Sequence, residues 1–133
     1  MVGGPLFLLV SHGGYACSLI RSLEMIIGSI VSERVLCASL EEGESLENFY
    51  EKMLQICSRV GSNVIVLADM LGGTPSRASL MLLKESKVRA VITGFNMPLL
   101  LELLTGNYSS YGEQELRKAL ESSQQHMKIF TSI

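Results

Sequence analysis

Apolar residues along this chain fall into short unbroken runs separated by stretches of helical period. Leu6-Phe7-Leu8-Leu9-Val10, Val35–Leu40, Val64-Ile65-Val66-Leu67-Ala68 and Val88–Thr93 are too brief for helices and predict four strands, the first over 5–10. The third run is apolar throughout, as a central strand buried on both faces requires. Between the first two runs, Ala16, Leu19, Ile20, Leu23, Ile26 and Ile27 share one helical face and predict a helix over 15–27, with Gly28 at its C′ position. Leu46, Phe49, Tyr50, Met53, Ile56 and Val60 mark a second helix, opened by Ser45 as N-cap and closed by Gly61. Gly72-Gly73-Thr74-Pro75 reads as a turn into a third helix, with Thr74 at the N-cap, Pro75 at N1 and the end near Glu85. Pro98 opens another helix through Leu104, residues 107–112 form a polar loop, and a helix near 113–124 precedes a short last strand, 127–131. That strand carries little apolar content and belongs at an edge. Alternating strands and helices predict an α/β fold with a mainly parallel sheet covered by helices. No linker or low-complexity segment interrupts the pattern, so residues 1–133 are expected to form a single domain.

Composition removes several classes of function. The chain has 133 residues, 47% hydrophobic and 18% charged, which excludes disorder. A formal net charge of −2 leaves no basic footprint for nucleic acid. Mean hydropathy is +0.33, yet no apolar run approaches the roughly 20 residues of a spanning helix. The first ten residues also lack the basic start of a signal peptide. A soluble, cytoplasmic protein is expected, with the excess apolarity pointing to a subunit interface. Cys17, Cys37 and Cys57 form no C-x-x-C pair and read as reduced thiols, their regular spacing as accidental.

Candidate chemistry gathers where strands end. Ser11-His12-Gly13-Gly14 follows the first strand, Asp69 through Ser76 the third, and Gly94-Phe95-Asn96-Met97-Pro98 the fourth. In a parallel sheet these loops share the carboxyl edge, where open α/β folds bind ligands. Asp69 is the natural partner for His12: a carboxylate on Nδ1 fixes the tautomer and leaves Nε2 free as a nucleophile. Gly13, Gly72 and Gly73 permit close backbone approach, the following helix offers free N–H groups to an anion, and Thr74 and Ser76 add hydroxyls. Together they suit a phosphoryl group carried on His12. Each piece also has a structural reading: a satisfied histidine, an aspartate capping a turn, glycines serving that turn, Asn96 capping its helix. No G-x-x-x-x-G-K-[ST] or G-x-G-x-x-G is present, and two histidines do not make a metal centre. Histidine phosphatases place an arginine before their nucleophile, whereas Ser11 stands here.

With Ser11-His12-Gly13, Asp69-Met70-Leu71-Gly72-Gly73-Thr74-Pro75 and Gly94-Phe95-Asn96-Met97-Pro98 in order, the chain resembles the IIA components of the mannose-family (mannose/fructose/sorbose) phosphoenolpyruvate-dependent sugar phosphotransferase system. The resemblance covers essentially the whole chain. It implies a doubly wound sheet of order 2-1-3-4 and a C-terminal antiparallel edge strand exchanged in a homodimer. It further implies that His12 accepts a phosphoryl group from phospho-HPr at Nε2, that Asp69 orients it, and that Thr74 lies near the phosphoryl group. A IIB component would then receive the group, and membrane IIC and IID components would move the sugar. No cofactor, metal or nucleotide is implied. Ser76-Arg77 departs from the aromatic-asparagine pair frequent in the family, and Arg77 is expected at the surface. The chain reads as a IIA on its own, with IIB supplied separately. The alternatives are a phosphocarrier subunit of a dihydroxyacetone kinase, against which the Gly72-Gly73-Thr74-Pro75 turn argues, and a flavodoxin-like regulatory module without covalent chemistry.

Overall fold

The computed structural model describes residues 4–133. The chain divides into two compact units, one of residues 5–95 and one built from residues 96–133. In the first, β1 (Leu6–His12), α1 (Tyr15–Ile27), α2 (Ile30–Arg34), β2 (Val35–Leu40), α3 (Leu46–Val60), β3 (Val64–Ala68), α4 (Gly73–Lys84) and β4 (Ala90–Thr93) follow in order. The strands form one all-parallel sheet of order β2-β1-β3-β4.

The alternation of side chains along each strand decides what covers the sheet. Leu8, Val10, Val64, Val66 and Ala68 belong to one core cluster with Phe49, Met53 and Cys57 of α3 and Ala78 and Leu82 of α4. The two-residue period sends Phe7, Leu9, Ile65 and Leu67 to the opposite face, where they too are fully buried. Ala16 and Leu23 are the buried positions of α1, which packs against β1 and β2. Each such apolar side chain contributes about 1.5–3 kcal/mol on burial. Ser45 accepts a hydrogen bond from the Asn48 N–H (3.0 Å) and fixes the start of α3.

The second unit holds α5 (Met97–Thr105) and α6 (Glu113–Gln124), packed on each other. Asn96 caps α5 by accepting from the Leu99 N–H at 2.9 Å, with Pro98 in the first turn. Before α6, the Glu115 carboxylate accepts the backbone N–H groups of Ser109, Ser110 and Tyr111. These bonds, that of Ser109 foremost, hold its carboxyl below the usual carboxylate range.

Several expectations need correction. α2 was not anticipated; it is five residues long and anchored by buried Val31. The N-cap of α4 is Gly72, not Thr74, and the helix begins at Gly73, which places Pro75 at N3. Among the described residues, 127–133 form no strand, since no other segment pairs with them. Cys17 and Cys37 are not free thiols but a disulfide, with Cα atoms 5.4 Å apart, because α1 lies against β2. Cys57 alone is a free thiol, and burial pushes it up from its ordinary value. Among the described residues no helix is long and apolar enough to cross a membrane.

Candidate functional site

β1 runs two residues beyond its apolar stretch because Ser11 and His12 continue the ladder opposite Ser39 and Leu40 of β2. Burial changes abruptly at that point: Ser11 is fully buried and His12 is exposed. The Ser11 hydroxyl organises the turn that follows. It accepts from the Ala16 N–H (2.8 Å) and donates to the Gly13 carbonyl (3.0 Å), closing the chain from strand to helix around one buried atom. The Gly13 N–H donates to the Leu40 carbonyl at 2.9 Å. His12 therefore projects from a turn fixed on both sides.

Asp69 reaches it from the neighbouring strand. The Asp69 N–H donates to the Val10 carbonyl (3.1 Å), carrying the β1–β3 ladder one residue past Ala68 and bringing the carboxylate level with His12. Asp69 Oδ2 then accepts twice, from the His12 backbone N–H at 2.9 Å and from Nδ1 of the ring at 2.9 Å. A carboxylate oxygen can only accept, so Nδ1 carries the hydrogen and the neutral ring keeps its lone pair on Nε2. The Asp69 side chain is 11% exposed against 49% for His12. Its Oδ1 is buried with no hydrogen-bond partner among the described residues. Every hydrogen bond made by this carboxylate within the described chain thus goes to His12.

The start of α4 stands over Nε2. A Cβ built on Gly73 would lie 3.0 Å from His12 Cε1 and 3.3 Å from Nε2, at a φ of +80° that already disfavours side chains. Glycine is the residue that fits. Of the helix-end donors, the Gly72 N–H is committed to Ser76 Oγ at 3.1 Å and Pro75 has none. Helix geometry leaves the Gly73 and Thr74 N–H groups without intrahelical partners, beside the free ring nitrogen and at the positive end of α4. A nucleophilic nitrogen next to two amide donors can take up an anionic group and stabilise it.

His12, Asp69 and Gly73 therefore meet at the carboxyl edge, with Gly72 and Thr74 on either side of Gly73 in the chain. Gly13 adjoins His12, but its N–H is spent on Leu40. Ser76 does not open onto the site: it is 1% exposed and its hydroxyl accepts from Gly72. Asn96 caps α5. Arg77 is exposed and makes no ion pair among the described residues. Ser11 was missed as a turn clamp, although a lone hydroxyl ending an apolar run was a legible signal. Also unanticipated is an apolar fringe on the same edge. Met70 and Leu71 are 53% and 76% exposed, and Tyr15, 54% exposed, stacks on buried Phe95 with centroids 5.4 Å apart.

The family model described as the phosphotransferase-system fructose IIA component matches residues 6–121. The fructose-specific EIIA component of Bacillus subtilis is 28% identical over 100 residues, 74% of this chain and 67% of that protein. The mannose-specific EIIAB component of Escherichia coli K12 is 30% identical over 96 residues; the match covers 71% of this chain but only 29% of that longer protein. The mannose/sorbose-specific IIA subunit of Enterococcus faecalis superposes with a TM-score of 0.86 over 98% of this chain and 97% of its own, at 22% identity, a likeness of fold.

Proposed function

The chain belongs to the family of phosphotransferase-system fructose IIA components, the mannose-type IIA proteins of sugar transport, and from that membership we propose that His12 carries a phosphoryl group on Nε2. The donor is the phosphohistidine of HPr and the acceptor a IIB component, in the cytoplasm. The observation that carries this reading is the double hydrogen bond from His12 to Asp69 Oδ2, which commits Nδ1 and leaves Nε2 facing outward.

In the forward step Nε2 attacks phosphorus in line as the nitrogen–phosphorus bond of the donor imidazole breaks. No water and no metal enter. The ring gains positive character as the new bond forms, and Asp69, holding the Nδ1–H, offsets that charge. In this reading the Gly73 and Thr74 N–H groups would donate to the phosphoryl oxygens, with the Thr74 hydroxyl as a further donor. Ser76 acts indirectly, by tying Gly72 into the turn. Transfer onward to IIB reverses the geometry. Exposed Met70, Leu71 and Tyr15 beside the site suit docking of a protein donor, because apolar and aromatic side chains dominate protein interface cores.

Incubation with phosphoenolpyruvate, enzyme I and HPr is expected to place one acid-labile phosphate on the chain, and addition of IIB to remove it. A His12→Ala protein that labels as the wild type does would end this assignment. Transfer of the label to a dihydroxyacetone kinase subunit but not to IIB would move the protein to that system.

A further inference from the structure

We infer that Cys17 and Cys37 form a reversible redox modification site whose disulfide braces the turn carrying His12. The effect on phosphoryl transfer rests on the function proposed above; the modification itself does not. Cys17 is the third residue of α1 and Cys37 the third residue of β2. Their disulfide joins the two elements flanking the His12 turn across a sequence separation of 20. From Cys17 the backbone runs back through Gly14 to Gly13, whose N–H bonds to the Leu40 carbonyl at 2.9 Å. From Leu40, β2 runs back to Cys37. The disulfide and that hydrogen bond close a ring around the segment in which Ser11 Oγ holds Gly13 and Ala16.

The location favours reversibility. Both cysteines are half-buried, not sealed in the core as Cys57 is. Cys17 lies in the first turn of its helix with Ser39 Oγ 3.7 Å from its sulfur, which places it to attack first. Its thiolate displaces one thiolate from a low-molecular-weight disulfide and forms a mixed disulfide. The Cys37 thiolate then attacks the Cys17 sulfur and expels the second. Two protein thiols are oxidised to a disulfide, one small disulfide is reduced to two thiols, and the two protons lost by the protein end on the leaving thiols. Cys57 stays out of the exchange, buried in the core cluster that holds Phe49, Met53 and Val64.

In the oxidised protein the turn is braced and Nε2 is held against α4; on reduction the start of α1 is released from β2. A loss of a few tenths of an ångström in alignment is expected to slow phosphoryl transfer about 3- to 10-fold. The test equilibrates the full chain in mixtures of reduced and oxidised glutathione, then alkylates thiols and maps them by mass spectrometry. A Cys17–Cys37 peptide pair that appears with oxidised glutathione and disappears with reduced glutathione is expected, with Cys57 remaining a thiol. Amide exchange at Gly13, Ala16 and Cys17 should quicken at least about tenfold on reduction, as a local opening becomes easier, and Cys17→Ser should behave as the reduced protein in both buffers. Free alkylation of both cysteines in oxidised glutathione, or equal exchange in the two forms, overturns the site. Equal labelling rates of oxidised and reduced protein overturn its link to transfer. Absence of label in both forms, with the exchange difference intact, rejects the phosphocarrier reading and leaves the redox site standing.

Discussion

At the scale of single residues, the site depends on one oxygen and one missing methyl group. Asp69 Oδ2 serves both His12 bonds, so Asp69→Asn leaves the shape but turns a charge-assisted acceptor into a neutral amide that can present its N–H₂ instead. Rates of phosphorylation by HPr should fall on the order of 10–100-fold with His12 still the labelled residue; an unchanged rate would mean Asp69 only closes the turn. Gly73 invites a sharper comparison. Gly73→Ala combines the strain of φ +80° with a Cβ 3.3 Å from Nε2, whereas Gly43→Ala carries similar strain (φ +76°) with nothing within 4 Å. Both should lose about 1–2 kcal/mol of stability, read from urea midpoints. Only Gly73→Ala should lose transfer, by about 10²-fold. Equal losses of activity in the two variants would remove Gly73 from the site. His12→Ala itself should cost less than about 1 kcal/mol, since Asp69 keeps the backbone N–H of residue 12. A large loss would favour a structural histidine in a regulatory module.

At the scale of elements, the start of α3 shows how local charge sets a stability profile. Glu44 accepts from the Glu41 N–H (2.9 Å) and from Lys52 Nζ (3.0 Å), while Lys52 also donates to the Ser39 carbonyl. The Glu41 N–H foremost, and Lys52 with it, hold the Glu44 carboxyl below its usual value. A carboxyl whose folded value is lowered contributes stability above the unfolded value of 4.5, and that contribution drains away as pH falls through the folded value. Glu44→Gln should therefore be less stable than wild type at neutral pH, with the gap in urea midpoints closing toward pH 3; a gap constant with pH contradicts this. The elements were legible where pattern and packing agree. α1, β2, α3 and β3 lie where their stripes and runs place them, because the two helices are long enough to show their period and the two strands are bounded short apolar runs. α2 has five residues, too few for a stripe, and hides between Gly28 and β2. The pairing of His12 with Asp69 could be read because adjacent parallel strands end on one edge. The Cys17–Cys37 bond could not, because a linear spacing of 20 says nothing about which helix lies over which strand. Ser76 misled for a related reason: its hydroxyl suits an anion, but the turn took it first.

At the scale of the whole molecule, the unanswered demand is at the C-terminus. Met127, Ile129, Phe130 and Ile133 are 78%, 89%, 77% and 120% exposed, four large apolar side chains within seven residues that no strand or helix uses. A free chain would gain by burying them, and among the described residues β2 and β4 each leave one edge of the sheet without a strand. A segment that alternates polar and apolar positions, as Met127-Lys128-Ile129-Phe130-Thr131 nearly does, can add to such an edge with its apolar side chains on the covered face. The C-terminal antiparallel strand expected from the family is, on this proposal, completed only when it pairs with a second copy. Such an exchange would also account for a mean hydropathy of +0.33 in a chain whose described residues include no helix long and apolar enough to cross a membrane. Full-length protein should run as a dimer by light scattering, and a chain lacking residues 124–133 as a monomer that keeps the circular dichroism of an α/β fold. Retention of the dimer mass by the shortened chain would assign the subunit interface elsewhere. Exposed Met25 and Ile26 near the end of α1 would then be the next surface to test.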